Sequence, residues 1–391
     1  MISVEKALTI VEQNISHLKK VNIPLTDAFE CILAEDIFSP INMPPFKQSA
    51  MDGYALKLSG TDTYKIIGEV QAGSVNKYTL TEGETVRIFT GASVPKSADT
   101  VVMQEHVSRV ENTISITKRP LKNANVRPMG EQLKQGQLSL EKGTLLNAAA
   151  LGFLAGLGIQ NIEVYKKPSV SILITGNELQ QPGKPLELGQ VYDSNSISLH
   201  FALVKLGISK IKTAYIPDDF ATTSKCIKEH LESSDIVLIS GGISVGDYDF
   251  VKGALEENKV EEKFYKVNQK PGKPLYFGKK DETLVFALPG NPASSLNCFY
   301  VYVLPAIKKQ MGYKNIHLDK KLAVATTAIS NSFSKTLFLK ATVENGKATV
   351  LTGQASSMLK SFAVSNALLV IPEDVTEIKK GQNLSYLDLN S

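Results

Sequence analysis

Four short segments of this chain carry residue types suited to phosphate and oxyanion chemistry. They are Thr175-Gly176-Asn177-Glu178, Pro217-Asp218-Asp219, the run from Ser240 through Gly241, Gly242, Ser244 and Gly246 to Asp249, and Leu288-Pro289-Gly290-Asn291-Pro292-Ala293-Ser294. Glycines let backbone amides approach a phosphate closely, and Ser240 and Ser244 add hydroxyl donors. Pro292 suits the first turn of a helix with Asn291 as N-cap, which leaves free amides for an anion. Taken singly, each segment reads equally as a tight turn or a helix cap with no ligand. A fifth segment, residues 263–280, holds Lys263, Lys266, Lys270, Lys273, Lys279 and Lys280 and no acidic residue. Prolines stiffen its Lys270-Pro271-Gly272-Lys273-Pro274 core. Either this segment binds a phosphate or oxyanion, or it is the solvated face of an edge strand.

Carboxylates beside phosphate-binding loops would repel the anion unless a divalent cation lay between them. Glu178, Asp218 and Asp249 are the candidates to hold one. His17, His106, His200, His230 and His317 fall in no ligand spacing, and Cys31, Cys226 and Cys298 are far apart with no Cys-x-x-Cys pair. Neither a His/Cys metal site nor a disulfide framework is expected.

The elements that must position these segments alternate in type. Apolar strands at 170–174, 211–216, 236–240 and 284–288 are interleaved with helical patterns near 195–206, 219–231, 249–257 and 292–309. That alternation predicts an α/β domain over 168–311 with a mainly parallel sheet, and all four loops leave its strands at their carboxyl ends, where ligands collect in such sheets. Upstream, Ser3 and the spacing of Val4, Leu8, Val11, Ile15 and Leu18 predict an amphipathic helix over 3–20. Short β-rich runs between Gly, Pro and Asn turns predict an inserted β-rich domain over 46–139. A small-residue helix at Asn147–Leu157 then joins 140–167 to 1–45 as one discontinuous, elongated N-terminal domain of helical and mixed character. Beyond Gly312 only short β runs remain, which predicts a C-terminal β-barrel over 312–391.

The 391 residues are 43% apolar and 21% charged, so the chain is an ordinary globular one, long enough for several domains. Its net charge of +4 is the balance of 43 basic against 39 acidic residues, which does not suggest a nucleic-acid binder. The longest apolar runs fall short of the roughly 18–20 residues that span a bilayer, and no signal peptide is read at the start. A cytoplasmic protein is expected.

The residues also carry a resemblance. Gln48-Ser49-Ala50-Met51-Asp52-Gly53-Tyr54-Ala55, Thr90-Gly91-Ala92, Val101 to Glu105, Thr175 to Leu179, Ser240 to Asp249, Lys270 to Pro274 and Leu288 to Pro292 occur in an order that resembles the molybdopterin molybdenumtransferase family, MoeA, and the E domain of gephyrin. The resemblance implies a homodimer of four-domain subunits with a MoCF-like α/β domain. It implies insertion of molybdenum from molybdate into adenylyl-molybdopterin, with release of AMP and with Mg²⁺. By position it implies roles for Asp52 and Thr90, brought by the inserted domain of the other subunit, for Glu178 as a catalytic acid, and for Asp218 and Asp249 as metal- or nucleotide-side carboxylates. Lys266 and Lys270 match lysines near the ligand or molybdate, Arg127 matches a basic residue, and Ser361 falls near a serine of the C-terminal domain. Ser240, Gly241, Gly242, Ser244, Gly246, Lys273, Pro289, Gly290, Asn291 and Pro292 complete the expected substrate site.

The chain departs from the family pattern at Arg127-Pro128-Met129-Gly130-Glu131-Gln132, where Gln132 replaces a functional Asp. An amide carries no charge, so either Glu131 substitutes or the chain is a divergent paralogue. A non-catalytic molybdopterin-binding or scaffold role is the alternative reading. Handover of substrate from a molybdopterin adenylyltransferase is a further implied partnership.

Overall fold

The computed structural model describes residues 1–75, 77–243 and 250–391. The chain divides into two units, one of residues 24–29 and 35–162 and the other of residues 1–23, 30–34 and 163–391.

Helix α1, Val4–Gln13, begins at Ser3, whose Oγ accepts from the Lys6 amide at 3.2 Å. It is shorter than the expected 3–20. The chain leaves the helix at Asn14, and Leu18 instead donates its amide to the Gln310 carbonyl at 2.9 Å, so the apolar spacing of Ile15 and Leu18 serves packing in a non-helical segment.

The unit of residues 24–29 and 35–162 is built on a six-stranded sheet. Its strands are β1 (Gly53–Leu56), β2 (Thr63–Val70), β3 (Glu84–Ile88), β4 (Thr100–Met103), β5 (Val107–Val110) and β6 (Thr113–Ile116), in the order β4-β1-β3-β2-β6-β5. Both faces are covered, because alternate residues point to opposite sides. Ala55, Val86, Ile88 and Val101 enter one core, while Tyr54, Leu56, Tyr64 and Val102 enter the other. Gly53 permits the tight β1–β4 pairing, since a Cβ there would lie 2.0 Å from the Val102 carbonyl oxygen. Helix α2, Ala148–Gly156, follows, capped by Asn147.

The larger unit holds the expected α/β sheet. In chain order it has β7 (Val170–Thr175), α3 (Asn195–Lys205), β8 (Ile211–Ile216), α4 (Phe220–Ser233), β9 (Ile236–Ser240), α5 (Val251–Glu257), β10 (Glu261–Tyr265), β11 (Gln269–Lys270), β12 (Tyr276–Lys280) and β13 (Thr283–Leu288). The sheet order is β8-β7-β9-β13-β12-β10. The first three pairings are parallel and the last two antiparallel. The period of two is plain in the cores: Ile172, Leu238 and Phe286 point to one face, Leu173, Val237 and Val285 to the other. α1 packs on the first face through Val4, Ala7 and Val11. After β13 a continuous helical segment runs through α6 (Pro292–Cys298), a π-helical turn (Phe299–Val303) and α7 (Leu304–Gln310).

The same unit ends in a closed five-stranded barrel of β14 (Lys320–Ala325), β15 (Thr336–Glu344), β16 (Lys347–Val350), β17 (Ala367–Ile371) and β18 (Asn383–Asp388), with α8 (Leu359–Ala363) between β16 and β17. Closure comes from the β15–β17 pairing. The two-residue β11 pairs in parallel with the start of β15 and ties the lysine segment to the barrel. Among the described residues no helix is long and apolar enough to cross a membrane.

Candidate functional site

A cleft of about 720 Å³ opens at the carboxyl ends of β7, β8, β9 and β13. Of the expected site residues, Glu178, Asp218, Ser240, Gly241, Gly242, Pro289, Gly290, Asn291 and Pro292 lie on its wall. Four loops distant in sequence therefore converge, as parallel α/β topology requires.

Backbone conformation explains the glycines. Gly241 and Gly242 have φ of +94° and +62°. A Cβ on Gly241 would stand 2.7 Å from Thr175 Oγ1, and one on Gly242 would stand 2.7 Å from Val251 Cγ2. The loop after β9 is thus pressed against the end of β7 with no space for side chains. The β7 and β8 loops are tied to each other: the Asn177 amide donates to Asp218 Oδ2 and the Asp218 amide donates to Asn177 Oδ1, both at 3.1 Å.

Two lining residues were not singled out from the sequence. Asp193 is buried; its Oδ1 accepts from the amides of Asn195 (2.9 Å) and Ser196 (3.1 Å), and its Oδ2 accepts from the Tyr215 hydroxyl at 3.1 Å. Asn195 donates through Nδ2 to Ser240 Oγ and to the Gly290 carbonyl, each at 2.8 Å, which staples α3 to the loops after β9 and β13. The signal for both was the Asp193-Ser194-Asn195 run, which reads simply as a helix start. Ser357, contributed from the barrel side, also lines the cleft.

The helix start at Pro292 departs from expectation. Asn291 is the N-cap, but the amides of Ala293 and Ser294 are not free: both donate to the Ser356 carbonyl, at 3.0 and 3.3 Å. A segment some sixty residues downstream fills the anion position, so the loop offers the cleft Pro289 to Pro292 themselves rather than the helix amides.

The lysines stand apart from this wall. Lys266 Nζ lies 4.5 Å from the centre of the Tyr265 ring and Lys270 Nζ lies 3.5 Å from that of Phe333. Lys273 is exposed beside Pro274, which does line the cleft. Ser361 is buried and donates to the carbonyls of Gly353 (2.6 Å) and Met358 (3.1 Å). The loop it braces is also held by Lys340, a nearly fully buried side chain whose Nζ donates to the carbonyls of Gly353, Ala355 and Met358 at 2.8–3.2 Å.

Asp52, Thr90 and Arg127 belong to the other unit. Asp52 Oδ1 accepts from both the amide and the hydroxyl of Thr90 at 2.7 Å, and these two bonds, with Arg87 adding a smaller attraction, hold its carboxyl below the usual range. Arg127 is exposed and paired in register with Gln48. The Gln132 amide donates to the Met43 carbonyl, leaving its side chain and that of Glu131 exposed. Ser244, Gly246 and Asp249 lie outside the described residues.

The carboxylates suit a hard cation. Among the described residues no group of three His, Cys, Asp or Glu side chains gathers as a dedicated metal cage. Glu178 is exposed on the wall, and Asp218 has one oxygen engaged by Asn177. Mg²⁺ is commonly held by one or two carboxylates together with substrate phosphates and water, and this donor set fits that habit. The three cysteines are unpaired thiols, and burial pushes Cys298 up to about 12, far from thiolate chemistry.

Comparison with known proteins covers nearly the whole chain. The model of the MoeA N-terminal region (domain I and II) matches residues 2–158, that of a probable molybdopterin binding domain residues 171–309, and that of the MoeA C-terminal region (domain IV) residues 323–389. The chain is 37% identical to a molybdopterin molybdenumtransferase of Haemophilus influenzae, over 94% of this chain and 93% of that one. It is 32% identical to molybdopterin molybdenumtransferase 2 of Mycobacterium tuberculosis over the full length of both. A crystal structure of a molybdopterin biosynthesis MoeA protein from Pyrococcus horikoshii superposes with a TM-score of 0.86 at 31% identity, covering all of both chains.

Proposed function

This chain belongs to the MoeA family of molybdopterin molybdenumtransferases, enzymes of molybdenum cofactor biosynthesis, and we propose that it inserts molybdenum from molybdate into adenylyl-molybdopterin with release of AMP and with Mg²⁺. The observation that carries the reading is the cleft itself, where four loops from parallel strands meet around Glu178 and Asp218.

In this reading the backbone of Gly241, Gly242 and Gly290 lets the phosphate link approach the wall without side-chain obstruction. Glu178 and Asp218, with Asp249, hold Mg²⁺, which when bound supplies neutralising charge to the phosphates. Asp193 and Asn195 fix the wall. The lysines at 266, 270 and 273 attract molybdate; Arg127, in the same unit as Asp52, is a basic residue brought with it by a second copy. Water attacks the adenylate phosphorus, the bridging P–O bond breaks, molybdopterin leaves with its own phosphate, AMP keeps the water oxygen and the proton passes to solvent, without a covalent protein intermediate. Asp52, ionised and fixed by Thr90, comes from a second copy in the homodimer that the proposal includes. Glu131 carries the charge that Gln132 lacks. The four-domain division, cytoplasmic location and substrate handover from a molybdopterin adenylyltransferase belong to the same proposal.

The test is AMP release from adenylyl-molybdopterin at varied molybdate. Molybdate-dependent release is expected, abolished by chelation of Mg²⁺, and lowered by about tenfold or more in Glu178→Gln and Asp218→Asn. Binding of adenylyl-molybdopterin without AMP release would instead make the chain a carrier.

A further inference from the structure

Beneath the lysine segment lies a polar side chain that no step above uses. Gln269 is 1% exposed, and both ends of its amide are engaged. Its Nε2 donates to the Gly272 carbonyl at 2.9 Å and points to Cys298 Sγ at 3.5 Å, while its Oε1 accepts from the Tyr302 hydroxyl. An amide this deeply buried costs free energy unless it is fully bonded, so its place needs a reason.

The geometry around it supplies one. Gly272 has φ +88°, and a Cβ there would stand 2.5 Å from Cys298 Sγ and 2.9 Å from Gln269 Nε2. The turn from Lys270 to Pro274 is therefore seated directly on the Gln269 amide. Tyr302 reaches the amide from the π-helical turn at 299–303, and that helical segment starts at Asn291-Pro292 on the cleft wall. Such wide turns inside helices occur often at functional sites. One end of the turn, Pro274, lines the cleft, and Lys270 and Lys273 project from it.

We infer that Gln269 is a positioning residue that, with Tyr302 behind it and Gly272 in front, fixes the Lys270–Pro274 turn and so sets where Lys270 and Lys273 present charge to the incoming molybdate. The inference rests on the reading above that these lysines attract the oxyanion. Its chemical logic is that a point charge on a long flexible stem is located only as well as its backbone, and displacement by about 1 Å can cost a site as much as a hundredfold.

Four variants test it: Gln269→Glu, Tyr302→Phe, Lys270→Ala and Lys273→Ala. Glutamate keeps the shape of glutamine but, once ionised, cannot donate to the Gly272 carbonyl; burial favours its protonated form, so the effect grows as the assay pH rises. Michaelis constants for molybdate and for adenylyl-molybdopterin are measured separately in the AMP-release assay, with calorimetric binding of molybdate alone and thermal unfolding alongside. In Gln269→Glu the constant for molybdate is expected to rise about tenfold, with the constant for adenylyl-molybdopterin unchanged, and Tyr302→Phe to show a smaller shift of the same kind. Should Gln269→Glu fail to fold, Tyr302→Phe decides the matter by the same split. If neither lysine variant weakens molybdate, the oxyanion reading falls and this inference with it. If the lysine variants weaken molybdate but the Gln269 and Tyr302 variants lower only thermal stability, or move both constants equally, the inference alone is overturned and the network is structural.

Discussion

The glycines of the cleft make a paired prediction. Gly241 and Gly290 both line it, but their surroundings differ. Gly241 has a left-handed backbone, and an added Cβ would lie 2.7 Å from Thr175 Oγ1 and 2.8 Å from the Thr175 carbonyl oxygen. That carbonyl ends β7, whose last residue is in register with Ile216 of β8, so it cannot retreat without breaking the parallel ladder. The strained backbone costs about 1–3 kcal/mol and overpacking against a fixed carbonyl about 1–3 kcal/mol more. At about 2–4 °C per kcal/mol for a unit of this size, Gly241→Ala should melt roughly 4–24 °C below the parent. For Gly290→Ala the nearest neighbour would be Gly241 Cα at 3.6 Å, an ordinary contact, and Gly290 is not at positive φ. That variant should melt within about 2 °C of the parent, while its methyl takes space from the ligand and raises the Michaelis constant for adenylyl-molybdopterin. Calorimetric melting and the AMP-release assay measure the two effects. Equal melting temperatures for Gly241→Ala and the parent, or equal losses of stability in both variants, would refute the argument from backbone geometry.

Two further outcomes follow from a buried and a half-buried charge. Lys340→Met removes the ammonium shared by the carbonyls of Gly353, Ala355 and Met358, which keep only the Ser361 hydroxyl and the Met358 amide as donors, and this should cost about 1–3 kcal/mol in urea unfolding. It should also raise hydrogen exchange at Ala293 and Ser294, whose amides bond to Ser356 in the same loop; unchanged protection there would show that the loop holds without Lys340. For Asp235, burial pushes the carboxyl up, but the Ser169 amide and hydroxyl and the Lys166 ammonium outweigh it and the net shift is downward. Its contribution is therefore present above the ordinary value of 3.8 and is lost as pH falls through the lowered folded value. Asp235→Asn should lose about 1.5–3 kcal/mol near neutrality and much less at pH 3; an equal loss in urea unfolding at both pH values would count against the linkage.

The parallel strands were legible because each is a run of five or six mostly apolar residues followed by Gly or Pro, and the cleft followed from where parallel strands end. What was not legible depends on partners far along the chain. Nothing near Pro292 signals that the Ser356 carbonyl will occupy the Ala293 and Ser294 amides. The placement of Lys270 depends on β11 pairing with the barrel strand β15. Asp193 and Asn195 stand at a helix start, where capping and wall-building use the same residue types. The helical period runs on to Leu18 although α1 ends at Gln13, because the Leu18 amide bonds to the Gln310 carbonyl instead.

The place of α1 also orders the making of the protein. Its apolar residues belong to the core that includes Leu304 and Ile307, and the Lys309 ammonium donates to the Glu12 carbonyl from 297 residues along the chain. At ribosomal speeds of roughly 5–20 residues per second, this helix leaves the ribosome roughly 15–60 s before its partners exist. The unit of residues 24–29 and 35–162 is fully synthesised within that interval, and as a compact unit it can form before the rest. Assembly is thus nested: the inner segment of the gene product matures first, and the cleft, whose unit uses both the earliest helix and the last barrel strand, matures at the end. During that wait the exposed stripe of Val4, Ala7 and Val11 is a natural hold for a chaperone, and slowing translation downstream of residue 162 lengthens the window in which the newborn chain can aggregate.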